Sequence, residues 1–128
     1  MPVTGMTAEI SPSSAFDLAH IAEQWGGLED DIYLTILGIF ADEGAKLCAD
    51  ARSSLTSGRH DVLARAAHTL AGASANVGAL HLAACAKALQ TSVEAGRDGE
   101  LEPLVAAVEA AWRAVHDRIA QGGPTTHD

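Results

Sequence analysis

Residues 58–96 run between two glycines as GRHDVLARAAHTLAGASANVGALHLAACAKALQTSVEAG. Leu63, Ala67, Leu70, Ser74 and Val77 recur at the three- and four-residue intervals that bring side chains onto one helical face, and Leu82, Cys85, Leu89 and Val93 repeat that rhythm beyond Gly78. The spacing predicts helices over about His60–Asn76 and Ala79–Ala95, with Gly78 turning the chain into a tight antiparallel hairpin.

The same period extends to either side. From Glu29 to about Ser57 the residues Tyr33, Ile36, Phe40, Leu47, Ala51 and Leu55 keep one face, and Gly58 ends the run. Glu29, Asp30 and Asp31 place negative charge at its N-terminal end, where the helix dipole favours it. A shorter helix is expected from about Ser14 to Gln24, capped by Ser13 or Ser14, carrying Phe16, Ala19, Ala22 and Trp25 and stopped by Gly26-Gly27. Past Gly96–Gly99, a last helix to about Ala120 shows Leu101, Leu104, Val108, Ala111, Val115 and Ile119, and Pro103 falls within its first turn. No segment alternates apolar and polar residues long enough to argue a strand. Four long amphipathic helices joined by short loops predict an all-α fold, an up-down-up-down antiparallel four-helix bundle with the short additional N-terminal helix capping one end. The domain spans 13–120, and the Pro-, Gly- and Thr-bearing stretches 1–12 and 121–128 are expected to be disordered.

Composition narrows the function. A chain of 128 residues, 48% hydrophobic and only 4% aromatic, suits one core rich in Ala, Leu and Val. Seventeen acidic against eight basic side chains, a net −9, oppose attraction to nucleic-acid phosphates or anionic lipid. No apolar run reaches the roughly 20 residues of a membrane span, and the N-terminus lacks a basic region followed by an apolar one. A cytoplasmic protein is expected. Cys48 and Cys85 both read as small core residues. A metal centre is not expected, because a di-metal bundle needs Glu-x-x-His pairs and no Glu stands three residues before any His.

Among the six histidines, His20, His60, His116 and His127 occupy polar, boundary or terminal positions. His68 differs. At 100° per residue it lies about 200° from Leu70 and so points away from the core. Ala64, Arg65, Ala71, Gly72 and Ala75 share its outer face, leaving an imidazole above small neighbours in mid-helix. Gly72 there costs about 1 kcal/mol of helix propensity relative to Ala, and suits a site where another macromolecule comes close to the backbone. No carboxylate occurs between Asp61 and Glu94, so Arg65 and Lys87 are the permanent charges of that stretch. Both would favour a phosphoryl group on the ring. In the hairpin, His68 falls level with Lys87, and Gln90, one turn on, can fix one ring nitrogen by a hydrogen bond, leaving the other as a neutral nucleophile.

The segment AHTLAGASANVGALHLAACAKALQ, from Ala67 to Gln90, resembles the signature of histidine-containing phosphotransfer (HPt) domains, H-x-L-K-G-x-x-x-x-x-G followed by a helix ending in Leu-Gln or Leu-Glu. His68, Leu70, Gly72 and Gly78 match in register, and weaker similarity, including a helix centred on Phe40, covers roughly residues 14–120. The resemblance implies that His68 is phosphorylated from a receiver-domain aspartate and passes the group to another receiver, with Gly72 the close-approach position and Gln90 the partner of the imidazole. Where the family usually carries Lys, this chain has Ala71, and Arg65, one turn earlier, is expected to supply the charge.

A phosphocarrier is therefore expected, probing the receivers of a hybrid histidine kinase and of a response regulator through a small apolar patch that includes Ala64, Ala71, Gly72 and Ala75. It would act as a monomer with no cofactor of its own, the Mg²⁺ residing on the receiver. No Gly-rich nucleotide loop is present, so it would not be a kinase with its own ATP site. Two alternatives stand beside this reading: a non-catalytic helical adaptor that binds a receiver or kinase domain, and a bundle that holds a metal or small ligand in its core.

Overall fold

The computed structural model describes Phe16, Asp17, Ile21 and residues 31–122. Four α-helices occupy them: α1 (Asp31–Ser57), α2 (His60–Asn76), α3 (Leu80–Glu94) and α4 (Leu101–Ala120), with a short 3₁₀ turn, Asp98–Glu100, leading into the last. No strand occurs among the described residues. The helix expected over Ser14–Gln24 and the stretches 1–12 and 123–128 lie mostly or wholly outside them.

Glycine sets the helix ends. Gly58, Gly78 and Gly96 all have positive φ, the left-handed conformation that side chains disfavour, and each follows a helix by one or two residues. Gly78 has a second reason to lack a side chain, since a Cβ there would run into Ile21. Its carbonyl also accepts a hydrogen bond from the Asp17 backbone N–H at 2.8 Å, so the N-terminal segment is tied to the α2–α3 turn.

Each helix packs on the next, and α4 returns to pack on α1. Leu63, Leu70, Leu82, Leu89, Leu101, Val105, Val108 and Val115 form one continuous core with Tyr33, Leu37 and Phe40. Phe16 and Ile21 complete it from the N-terminal side. The buried Tyr33 hydroxyl donates to the Val77 carbonyl at 3.0 Å, joining the start of α1 to the α2–α3 turn. Burial pushes the Tyr33 phenol pKa up.

The α1–α4 seam closes on Trp112, which meets Phe40 edge-on at 5.5 Å. Gly44 lies directly beneath the indole, where any side chain would overlap it. Further along α1, Arg52 forks onto Glu109 at 2.6 and 3.0 Å and reaches Glu102 at 2.8 Å. Hydrogen bonds to Glu109 and then Glu102 raise the Arg52 pKa, and the reciprocal bond from Arg52 holds the Glu109 carboxyl below its usual value.

Several expected inward positions are displaced by one residue. Leu37 and Val105 are buried where Ile36 and Leu104 were expected, and those two are only half-buried, as are Leu55 and Ile119. Cys48 is buried as expected, its thiol pushed up to about 12 by burial and by Glu109. Cys85 is not a core residue. Ala86 takes the buried position, and the half-buried Cys85 sulfur lies 3.5 Å from His81 Nε2.

Candidate functional site

The α2–α3 pair presents an exposed imidazole because both helices turn their apolar stripes the other way. Leu63, Ala67, Leu70 and Ser74 of α2 and Leu82, Ala86 and Leu89 of α3 are buried. His68, half a helical circumference from Leu70, is exposed. An open depression of about 450 Å³ lies beside it, lined by His68, Ala71 and Gly72 of α2 and by Ala83, Ala84, Lys87 and Gln90 of α3.

The floor is shallow because its residues are small. Nothing lies within 4 Å of where a Gly72 Cβ would be, so internal packing does not require glycine at that position. The neighbouring positions are Ala, and no carboxylate side chain lines the depression. Lys87 is exposed on the α3 side and is the one cation in its lining.

At the other edge, His68 Nδ1 lies 3.3 Å from Gln90 Oε1. The Gln90 amide nitrogen donates to Glu94 Oε2 at 3.1 Å. With the amide oxygen toward the ring, Nδ1 must carry the proton for a hydrogen bond to form, and Nε2 is then the nitrogen that keeps its lone pair. The arrangement offers a nucleophilic nitrogen to any electrophile that can approach over the small-residue floor.

The structure brings together His68, Ala71, Gly72, Lys87 and Gln90 and leaves the other expected residues aside. Arg65 lines a separate depression with Leu47, Asp50, Val62, Ala66 and Thr69. Ala64 and Ala75 are half-buried at the margin of the α2 face and do not line the His68 depression. Lys87 of α3 is thus the cation that lines the His68 depression, while Arg65, one turn before His68 on α2, lines the neighbouring one.

Sequence reading passed over Ala83, Ala84 and Glu94. The two alanines are legible in principle, because the hairpin register that sets Lys87 beside His68 also brings Ala83 and Ala84 to the depression that Gly72 lines. In the sequence Glu94 marks only the end of a carboxylate-free stretch, whereas in the structure it lies one helical turn from Gln90 and accepts from its amide. Among the described residues no group of three or more His, Cys, Asp or Glu side chains is placed to hold a metal ion. No helix formed by them is long and apolar enough to cross a membrane.

The Hpt domain family model matches residues 35–122, more than half of the chain. The fold is similar to the crystal structure of histidine-containing phosphotransfer protein B (HptB) from Pseudomonas aeruginosa PAO1, with a TM-score of 0.77 at 24% sequence identity. That match covers 84% of this chain and 93% of the other. No curated protein matches the chain.

Proposed function

The chain belongs to the Hpt domain family, a histidine phosphotransfer protein of phosphorelay signalling, and from that premise we propose that His68 is its phosphoacceptor. The observation that carries the assignment is the exposed His68 ring, its Nδ1 within hydrogen-bond distance of Gln90, beside a depression lined by Gly and Ala. In the reaction, Nε2 attacks the phosphorus of a receiver aspartyl phosphate in line. The Nε2–P bond forms as the aspartyl O–P bond breaks, and the carboxylate leaves on the receiver. The resulting phosphoimidazolium keeps its Nδ1 proton on Gln90 Oε1, and transfer to a second receiver runs the same steps in reverse.

Each neighbouring residue has a separate part. Gln90 orients the ring, while Lys87 provides positive charge beside the incoming phosphoryl oxygens. Ala71 and Gly72 let the receiver's backbone come close, with Ala64 and Ala75 at the edge of its footprint and Arg65 outside the immediate site. The divalent cation that neutralises the phosphoryl group, Mg²⁺, belongs to the receiver in this scheme.

Hpt proteins interact with receiver domains in phosphorelays. The partners proposed for this chain are the receiver of a hybrid histidine kinase and that of a response regulator, met in the cytoplasm by a monomer. We also propose an up-down-up-down bundle. It is supported by the helix contacts, in which α1 residues 36–43 oppose α2 residues 73–77, and Arg52 and Gly44 meet Glu109 and Trp112 in reversed order along α4.

Incubation with a phosphorylated receiver should place an acid-labile, alkali-stable label on the wild-type chain. His68→Gln should take none while keeping its helical circular dichroism. Label retained in that variant would refute the assignment. A wild-type chain that binds receivers but takes no label from any of them would identify a non-catalytic adaptor, the role that Ala71 in place of the family's usual Lys would suit.

A further inference from the structure

We propose that Glu94 is a positioning residue that selects the reactive tautomer of His68 by holding the Gln90 amide in one orientation. The inference rests on His68 being the phosphoacceptor and adds what sets its reactive nitrogen. A glutamine side chain is nearly symmetric in shape, and either end of its amide could face the imidazole. With the oxygen inward, the ring must present Nδ1–H, and Nε2 is the nucleophile. With the NH₂ inward, the ring must present a bare Nδ1, and Nε2 is protonated and inert. Gln90 alone therefore does not decide which nitrogen reacts.

Glu94 breaks that symmetry. It is four residues beyond Gln90 on α3, and its Oε2 accepts from the Gln90 amide nitrogen at 3.1 Å while Gln90 Oε1 lies 3.3 Å from His68 Nδ1. A carboxylate has lone pairs and no proton to donate, so only the NH₂ end of the amide can turn toward it. The oxygen is left for the ring. The three side chains form a directed chain, from His68 Nδ1–H to Gln90 and from Gln90 to Glu94.

The position of Glu94 independently argues for such a role. It is the last residue of α3, where the helix dipole disfavours an anion and favours Lys or Arg, and the last turn contains no basic residue. Glu94 is exposed, so core packing does not account for it.

The test reverses the polarity of the lock. Lysine can only donate, so Glu94→Lys should turn the Gln90 oxygen toward position 94 and its NH₂ toward the ring. Helix stability should not suffer, because a cation suits a helix C-terminus. Ring ¹⁵N NMR of the free full-length protein at neutral pH should show His68 protonated on Nδ1 in the wild type and shifted toward the Nε2–H form in Glu94→Lys. Glu94→Gln, which can accept or donate, loses the one-way lock without reversing it and should fall between wild type and Glu94→Lys.

The maximal rate of phosphoryl uptake from a phosphorylated receiver should fall by roughly five- to tenfold in Glu94→Lys, the factor one hydrogen bond carries. The half-saturating receiver concentration should hold or drop, since the added positive charge attracts the phosphoryl group. An unchanged tautomer in Glu94→Lys, or a larger shift in Glu94→Gln than in Glu94→Lys, would overturn the proposal. A tautomer that responds as expected in a chain that takes no label would instead support the lock and overturn the phosphoacceptor assignment on which its function rests.

Discussion

Gly44 and Gly72 both sit inside α-helices, yet the two sides of the molecule use them in opposite ways. At the α1–α4 seam, Gly44 is buried beneath the Trp112 indole, and the space a Cβ would need is already filled. On the α2–α3 face, Gly72 borders an open depression and meets nothing. One glycine lets two helices of the same chain approach. The other leaves room for something outside it. A helix-interior glycine costs about 1 kcal/mol relative to Ala in either place, so what offsets that cost must differ between them.

Gly44→Ala should produce the largest stability change, because overpacking and propensity oppose each other there and overpacking wins. The Ala methyl gains about 1 kcal/mol of helix propensity. It must also displace an indole held against Phe40 at 5.5 Å and His116 at 5.8 Å, which has little room to give. Inserting a carbon into such a contact costs up to about 3 kcal/mol. A net loss of about 2 kcal/mol should appear in urea unfolding, with Tm lower by about 8 °C. A variant as stable as wild type would mean that the seam can relax and that the contrast between the glycines is not one of packing.

Gly72→Ala should move stability the other way, by up to about 1 kcal/mol, since the new methyl points into open space. Bulk at the same position tests what the open space is for. Gly72→Leu should stay folded and at least as stable as wild type, yet slow phosphoryl uptake from a receiver by tenfold or more through a raised half-saturating concentration. Fast transfer in a stable Gly72→Leu chain would show that the receiver does not approach over this residue.

Why the two sides were unequally legible follows from the same contrast. The α2–α3 face could be read because its helices obey one period, turn at a positive-φ glycine and place His68 opposite Leu70, so local geometry sufficed. The ring partner Gln90 followed from the register of a short hairpin. The seam depends on contacts across some 60 residues of sequence, such as Arg52 with Glu109, and nothing local in Gly44 or Trp112 marks them as partners. One-residue errors, Ile36 for Leu37 and Leu104 for Val105, arose where broad runs of apolar residues fit two neighbouring phases. Lys87 lines the His68 depression as the hairpin register implies, whereas Arg65, located by helical angle alone, lines a neighbouring depression.

The polar part of the seam supports the smallest effect, one whose loss in acid can be checked with pH. Arg52 is partly exposed, as are Glu109 and, more so, Glu102, and solvent-screened pairs of this kind contribute about 0.2–1 kcal/mol. Arg52→Ala should therefore cost less than about 1 kcal/mol at pH 7 and leave phosphoryl uptake at His68 unchanged, because the seam lies away from the α2–α3 depression. The Glu109 carboxyl is held below its ordinary value by the Arg52 hydrogen bond. A depressed folded-state pKa gives stability that is present above the ordinary carboxylate pKa of about 4.3 and lost as pH falls through the folded value. The difference between wild type and Arg52→Ala in urea unfolding should thus be constant from pH 7 to about 5 and shrink toward zero on further acidification. A difference that persists undiminished at acid pH would trace the Arg52 contribution to the packing of its methylene stem across the seam rather than to charge.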